Sequence, residues 1–139
     1  MMKDNIPQYL CPICHSSINY NSDIFKCEAC DKSYRKKYDI PDFREKESYW
    51  CNVSKEKMNE LIDKSTESND WLETAKELIP EYHAHFSFYH RADLQFIWPI
   101  SSNARVLDAG SMWGGVTLPL AQYCKEVYAV DQTIETLAF

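Results

Sequence analysis

Glycine is scarce in this 139-residue chain. Average usage of roughly 7% would supply about ten, but there are three, Gly110, Gly114 and Gly115, all within six residues. That excludes glycine-rich linkers and repeats, and no internal repeat or low-complexity segment is visible. Long apolar runs are missing too: nothing approaches the roughly 18 apolar residues of a membrane span, and Met1 to Tyr20 holds no apolar run of signal-peptide length. Positive charge is in deficit, with 15 Lys+Arg against 21 Asp+Glu and a net charge of −6. The balance argues against a polyanion binder that depends on overall charge, while leaving a local basic patch open. What the chain does have is apolar material for a core, 45% hydrophobic and 14% aromatic residues. Its length suits one ordinary domain, or a small domain with part of another. These features lead us to expect a soluble, cytoplasmic protein without a membrane partner. In a reducing compartment, paired Cys-x-x-Cys units bind metal or do redox work rather than form structural disulfides.

Composition divides the chain into three stretches, residues 1–43, 44–102 and 103–139. The first carries four of the six cysteines, with short apolar segments (Ser17–Tyr20, Ile24–Lys26, Ser33–Tyr34) that read as hairpin strands. The second is acidic, free of glycine and helical in character. Ser54, with Glu56 and Lys57 in the first turn, marks one helix start, and Asn69 or Asp70 before Trp71-Leu72 marks another. Pro80 ends or bends that second helix, and an aromatic-rich third helix is expected from Tyr82 to Phe96 or Ile97. In the third stretch Arg105–Ala109 reads as a strand, Gly110–Gly115 as a turn, Val116–Tyr123 as a helix and Glu126–Asp131 as a second strand. Both strands are apolar on both faces, the pattern of a covered parallel sheet.

Cys11-Pro12-Ile13-Cys14 and Cys27-Glu28-Ala29-Cys30 form two Cys-x-x-Cys pairs separated by twelve residues. Each pair can curl into a knuckle that points two thiolates at one ion, and a hairpin between them completes a tetrahedron. A module of about 35 residues is too small to stabilise itself by burial, whereas structural zinc supplies roughly 10–16 kcal/mol in finger peptides. Four thiolates close the coordination shell, so the metal is expected to be structural. His15, beside Cys14, is expected to face solvent, and Cys51 and Cys124 to be ordinary helix residues. Lys26, Lys32, Arg35, Lys36 and Lys37, with Tyr34 and Tyr38 interleaved, have two readings: a solvated hairpin that offsets the negative metal centre, or a docking surface for RNA or an acidic partner.

A strand ending in an acid, a glycine turn and a helix make a nucleotide-type pocket: glycines let a ligand approach the backbone, and the helix start offers free N–H groups. An acid about twenty residues on, at the tip of the next strand, can accept from both ribose hydroxyls, and Asp131 stands there. Gly110-x-Met112-x-x-Gly115 also half fits the dinucleotide fingerprint. Asp108 weighs against it, because a carboxylate there suits a cationic amino-acid end and repels a pyrophosphate. Trp113 either walls the pocket or packs in the core. His83, His85 and His90 lack partners at metal-ligand spacing and read as surface or packing residues.

Two resemblances follow from these motifs. Residues 9–43, with Ser33-Tyr34 and Tyr38-Asp39-Ile40-Pro41-Asp42-Phe43 after the cysteines, resemble the zinc ribbon of the small activator subunits of tRNA and protein methyltransferases. The same ribbon stands at the N-terminus of many bacterial methyltransferases. Such ribbons carry a glycine before the Ile-Pro, where this chain has Asp39. Val106-Leu107-Asp108-Ala109-Gly110-Ser111-Met112-Trp113-Gly114, with Val130-Asp131 beyond, resembles motif I and the following acidic strand end of class I S-adenosylmethionine-dependent methyltransferases. With the composition of the middle stretch, the two resemblances imply an α/β fold: a zinc ribbon, a helical connector, and the first strand–helix–strand part of a Rossmann-like sheet. The second further implies that Gly110, Ser111 and Gly114 form the cofactor turn, that Asp108 orients the loop or the methionine amino group, and that Asp131 holds the ribose. Met112 stands where the family has its middle glycine, so its side chain must point away from the cofactor or narrow the site. Tyr89–Leu94 would belong to a helix packing over the cofactor.

The implied cofactors are S-adenosylmethionine and zinc, and the implied reaction is in-line displacement at the sulfonium methyl, driven by positioning. The methyl acceptor is undetermined among RNA bases, proteins, small metabolites, sugars and lipids. A second reading is a zinc-ribbon interaction module that binds or activates a partner methyltransferase or an RNA. Two parallel strands need cover, so shielding by a partner or an oligomer along the open sheet edge is expected, or else the chain is a piece of a longer enzyme. Multiple turnover is accordingly not expected from the 139-residue chain alone. An assay with labelled cofactor and a panel of acceptors checks this, and sustained turnover would overturn it.

Overall fold

The computed structural model describes residues 8–68, 70–86 and 100–139. The chain divides into two compact units, Met1–Lys46 and Glu47–Phe139. Among the described residues, no helix is long and apolar enough to cross a membrane.

In the first unit, β1 (Asn19–Asn21), β2 (Ile24–Lys26), β3 (Ser33–Lys37) and β4 (Ile40–Asp42) form an antiparallel sheet in sequential order. Register places Phe25 opposite both Tyr20 and Tyr34. Ile40–Asp42 pairs with β3, with Pro41 opposite Lys36. Proline is tolerated because β4 is the sheet edge, where a missing N–H breaks no ladder. The β3–β4 turn is Tyr38-Asp39, and both residues have left-handed φ angles, 53° and 60°. Two-residue hairpins of the primed type demand this conformation, so Asp39 adopts the backbone that a glycine would take at no steric penalty. Phe25 is 1% exposed and meets Tyr9, Tyr20 and Phe43 at ring distances of 5.3, 4.4 and 5.5 Å. This aromatic group, with Ile18 and Tyr34, is the only apolar core of the described part of the unit.

The second unit opens on α1 (Lys55–Glu67) and α2 (Trp71–Leu78). Their starts follow the sequence signals: Ser54 Oγ accepts from Lys57 N–H and Asp70 Oδ1 from Glu73 N–H, each satisfying a donor that the helix leaves open. A 3₁₀ turn at Pro80–Tyr82 ends this run, as Pro80 predicts, and α3 (His83–Phe86) follows. The rest of the expected third helix, Asn69 and the Tyr89–Leu94 segment lie outside the described residues.

Next come β5 (Arg105–Ala109), α4 (Thr117–Tyr123), β6 (Glu126–Val130) and α5 (Ile134–Ala138). The two strands pair in parallel, Arg105 opposite Glu126 through Ala109 opposite Val130. The described residues of the acidic helical stretch and of the C-terminal stretch thus share one unit, although their compositions differ.

Within the chain the strands leave Leu107 65% and Val130 46% exposed, apolar surface of the kind that the expected outside cover would shield. The buried cluster lies elsewhere, formed by Val53, Met58, Leu61, Ala75 and Ile79, with Trp71, Tyr82, Trp113 and Phe139 packed against it. Apolar strand faces signal a capacity for burial, and here helix α1 and helix α2 supply the burial instead. Two expectations are corrected, both on cysteines: Cys51 sits in the irregular segment before α1, and Cys124 is the extended C-cap of α4, so neither is a helix residue.

Leu61 is fully buried in this cluster. Leu61→Ala should destabilise the second unit by about 2–5 kcal/mol, and Leu107→Ala by no more than about 0.5 kcal/mol. Urea unfolding followed by tryptophan fluorescence measures both, and equal losses would contradict a helix-centred core.

Candidate metal centre and glycine loop

The two cysteine knuckles are built alike. Cys11 N–H donates to Ser16 C=O and Cys27 N–H to Lys32 C=O, both at 2.8 Å and both five residues ahead. The residue after each second cysteine, His15 or Asp31, takes a left-handed φ of 60° or 54° that reverses the chain. His15 therefore serves the turn, and its side chain is exposed, as the sequence predicts.

This folding brings Cys11, Cys14, Cys27 and Cys30 together with all four sulfurs within 4.8 Å of one another. Cys11 Sγ lies 3.6 Å from Cys30 Sγ, and Cys14 Sγ lies 3.4 Å from Cys27 Sγ. A tetrahedron with Zn–S bonds of about 2.3 Å has sulfur–sulfur edges of about 3.8 Å. The group fits a metal ion such as zinc, and all four cysteines are free thiols.

The thiols are electrostatically unequal. Burial resists ionisation of Cys11, but the N–H groups of Cys14 and Ile13, the Tyr34 hydroxyl and Cys30 outweigh it and bring its pKa down to about 6. The backbone N–H and hydroxyl of Ser16, followed by Cys27, also lower that of Cys14. For Cys30 the Lys32 N–H favours the thiolate, yet burial and the three neighbouring sulfurs push the pKa up to about 12. Four sulfurs this close cannot all carry charge without a cation between them.

One residue beyond the ligands takes part. Tyr34 is 7% exposed, with its Oη 3.7 Å from Cys11 Sγ. Burial, the hydrogen bond to Cys11, and the charges of Cys11, Cys30 and Glu45 raise its pKa to about 12. It stays protonated and can donate to the sulfur. The basic residues nearby are largely occupied: Lys26 pairs with Glu28 and Asp31, Lys36 with Asp39 and the Tyr20 ring, and Lys37 with the Tyr38 ring.

The glycine loop is strapped to the end of β6. Gly110 and Ser111 N–H both donate to Val130 C=O, at 2.8 and 3.2 Å, and Gly114 N–H donates to Ser111 C=O at 2.9 Å. Gly110 (φ 79°) and Gly114 (φ 74°) are left-handed, and Met112 is as well, at 46°. A Cβ on Gly110 would meet nothing within 4 Å, so its backbone angle alone calls for glycine; one on Gly114 would come within 3.3 Å of Leu118.

Asp131 Oδ2 accepts from Met112 N–H at 2.9 Å and Oδ1 from Thr133 N–H at 2.8 Å. Each oxygen keeps one further acceptor site, since a carboxylate takes about four donors. Asp108 accepts from the Thr117 hydroxyl and so ties β5 to α4. Asp108, Gly110, Ser111 and Met112 line one cavity of about 260 Å³. Asp131 and Gly114 are not among the lining residues of that cavity; Gly114 borders a second one, of about 270 Å³.

Cys51, Asn52 and Tyr82 also line the first cavity, and no sequence signal singles them out. Long-range bonds bring the segment there: Trp50 N–H donates to Thr133 Oγ1 at 2.9 Å, Thr133 Oγ1 donates to Trp50 C=O at 3.2 Å, and Ser48 Oγ donates to Gln132 C=O at 3.1 Å. Trp113 does both things the sequence allows: it lines the cavity and packs edge-on against Tyr82 at 4.8 Å.

Comparison of the chain with protein-family models, curated proteins and solved structures gives no match. The chemistry of both sites therefore rests on their geometry.

Removing a partner that supports a metal ligand typically lowers metal affinity 10–100-fold. Tyr34→Phe should weaken zinc binding by about tenfold or more in competition with a chromophoric chelator. Unchanged affinity would show that the hydroxyl merely fills space.

Proposed function

We propose that this chain is the N-terminal part of a class I S-adenosylmethionine-dependent methyltransferase that carries a structural zinc ribbon. The observation that supports this most is the run β5, glycine loop, α4, β6, with Gly110 and Gly114 in left-handed conformation and Asp131 at the strand end. In this reading Cys11, Cys14, Cys27 and Cys30 hold zinc, which folds the ribbon and has no open position for chemistry. Gly110, Ser111 and Gly114 form the cofactor turn. Asp108 holds the amino-acid end and Asp131 accepts from the ribose hydroxyls through the acceptor sites its loop bonds leave. Bound S-adenosylmethionine would supply an electrophilic methyl group; the residues here bind and orient it.

A second reading is an interaction module that binds a partner methyltransferase or RNA. Leu10 (54% exposed) and Ile13 (48% exposed), on either side of Cys11, favour it. Cofactor binding separates the two readings.

Calorimetric titration of the zinc-loaded chain with S-adenosylhomocysteine should show one site. Asp131→Asn should weaken it about tenfold or more, because hydrogen bonds to a charged acceptor contribute about 1.5–3 kcal/mol. No heat at millimolar ligand, with zinc bound, would overturn the enzyme reading and leave the module.

A further inference from the structure

Met112 combines three properties that no other residue of the loop shares. Its φ of 46° lies in the region that favours glycine, the residue is 39% exposed, and it borders both cavities. Ser111, Met112 and Trp113 are common to the two linings, so the cavities meet at this tripeptide. Ser111 is 7% exposed and its N–H is bonded to Val130 C=O, and Trp113 is held against Tyr82 and the helical core. Met112 alone is anchored only through its backbone, by the N–H bond to Asp131. Its unbranched side chain has three rotatable bonds and can swing without disturbing its two fixed neighbours.

The cavities measure about 260 and 270 Å³, each just under the roughly 300 Å³ at which small-molecule sites begin. Both linings are mainly apolar, but they differ in particular residues. The first offers Asp108 and Asn52 to a cationic, hydrogen-bonding group; the second offers Trp71, Leu118 and Phe139 to a flat apolar one. A ligand with one end of each kind, such as an amino acid joined to a nucleoside, needs both cavities and would cross from one to the other beside Met112.

We propose that Met112 is a gate: its side chain separates the two halves of one ligand site, and swinging outward joins them into a pocket of nucleoside size. This rests on the cofactor reading above and adds what controls entry. A site competent only when open binds with an affinity reduced by the open fraction. Removing the side chain should make every molecule competent, and removing it as glycine also relieves the left-handed backbone, so the variant should keep its fold.

The test is S-adenosylhomocysteine binding to the zinc-loaded chain by calorimetry for wild type, Met112→Gly, Met112→Ala and Met112→Leu, with circular dichroism to check each fold. Met112→Gly and Met112→Ala should bind at least fivefold tighter than wild type, and Met112→Leu, which keeps the bulk, should bind like wild type. In stopped-flow tryptophan quenching the wild-type rate should level off with ligand at the opening rate, and the Met112→Gly rate should keep rising. Binding that is unchanged or weaker in both small variants overturns the gate and leaves the cofactor reading standing. No binding by any of the four proteins at millimolar ligand overturns the gate and the cofactor reading together.

Discussion

Four sulfurs drawn to within 4.8 Å of one another are the constraint on which the first unit depends. Its apolar core is a handful of rings around Phe25 with Ile18 beside them, too little burial to offset the conformational entropy of some forty residues. The knuckles accept left-handed residues at His15 and Asp31 in order to aim the thiols inward, and backbone N–H groups lower the pKa of Cys11 and Cys14. Burial and hydrogen bonding to the neighbouring sulfurs raise that of Cys30. Such an arrangement is stable when a cation takes up the charge, which makes metal and fold one equilibrium.

The second unit is held differently. Buried apolar residues of α1 and α2, with Val53 and Ile79 beside the helix ends, supply its core, and Trp113 and Phe139 carry that core to the glycine loop and to α5. Asp131 shows how a loop carboxylate combines two tasks. Its oxygens brace Met112 and Thr133 N–H, which holds the loop shape, and the acceptor capacity that remains is available to a ligand. The bracing also explains why methionine survives at a backbone angle suited to glycine: the N–H bond to Asp131 and the Val130 strap offset the strain.

Much of the architecture was legible because its signals are local. The caps Ser54 and Asp70, the break at Pro80, the Cys-x-x-Cys knuckles and the strand–turn–helix–strand order follow from spacing within a few residues. Local patterns stop short in two places. That Ile40–Asp42 pairs as a strand despite Pro41 follows only from the sheet order, in which β4 is an edge, where proline is permitted. The apolar strands suggested cover on both faces, yet exposure of Leu107 depends on what packs nearby, which a strand's own residues do not specify.

By itself, then, the sequence determined which thiols could share an ion and where a ligand could approach the backbone, since both depend on residue type and short spacing. Tertiary structure alone decided that Tyr34 would reach Cys11. It also decided that Thr133 would fasten Trp50 and thereby carry Cys51 and Asn52 to the loop, and that Met112 would line two cavities. The physical reason is the length of chain bridged: the Trp50–Thr133 contact joins residues 83 positions apart, and such a pairing is chosen by the packing of the whole unit.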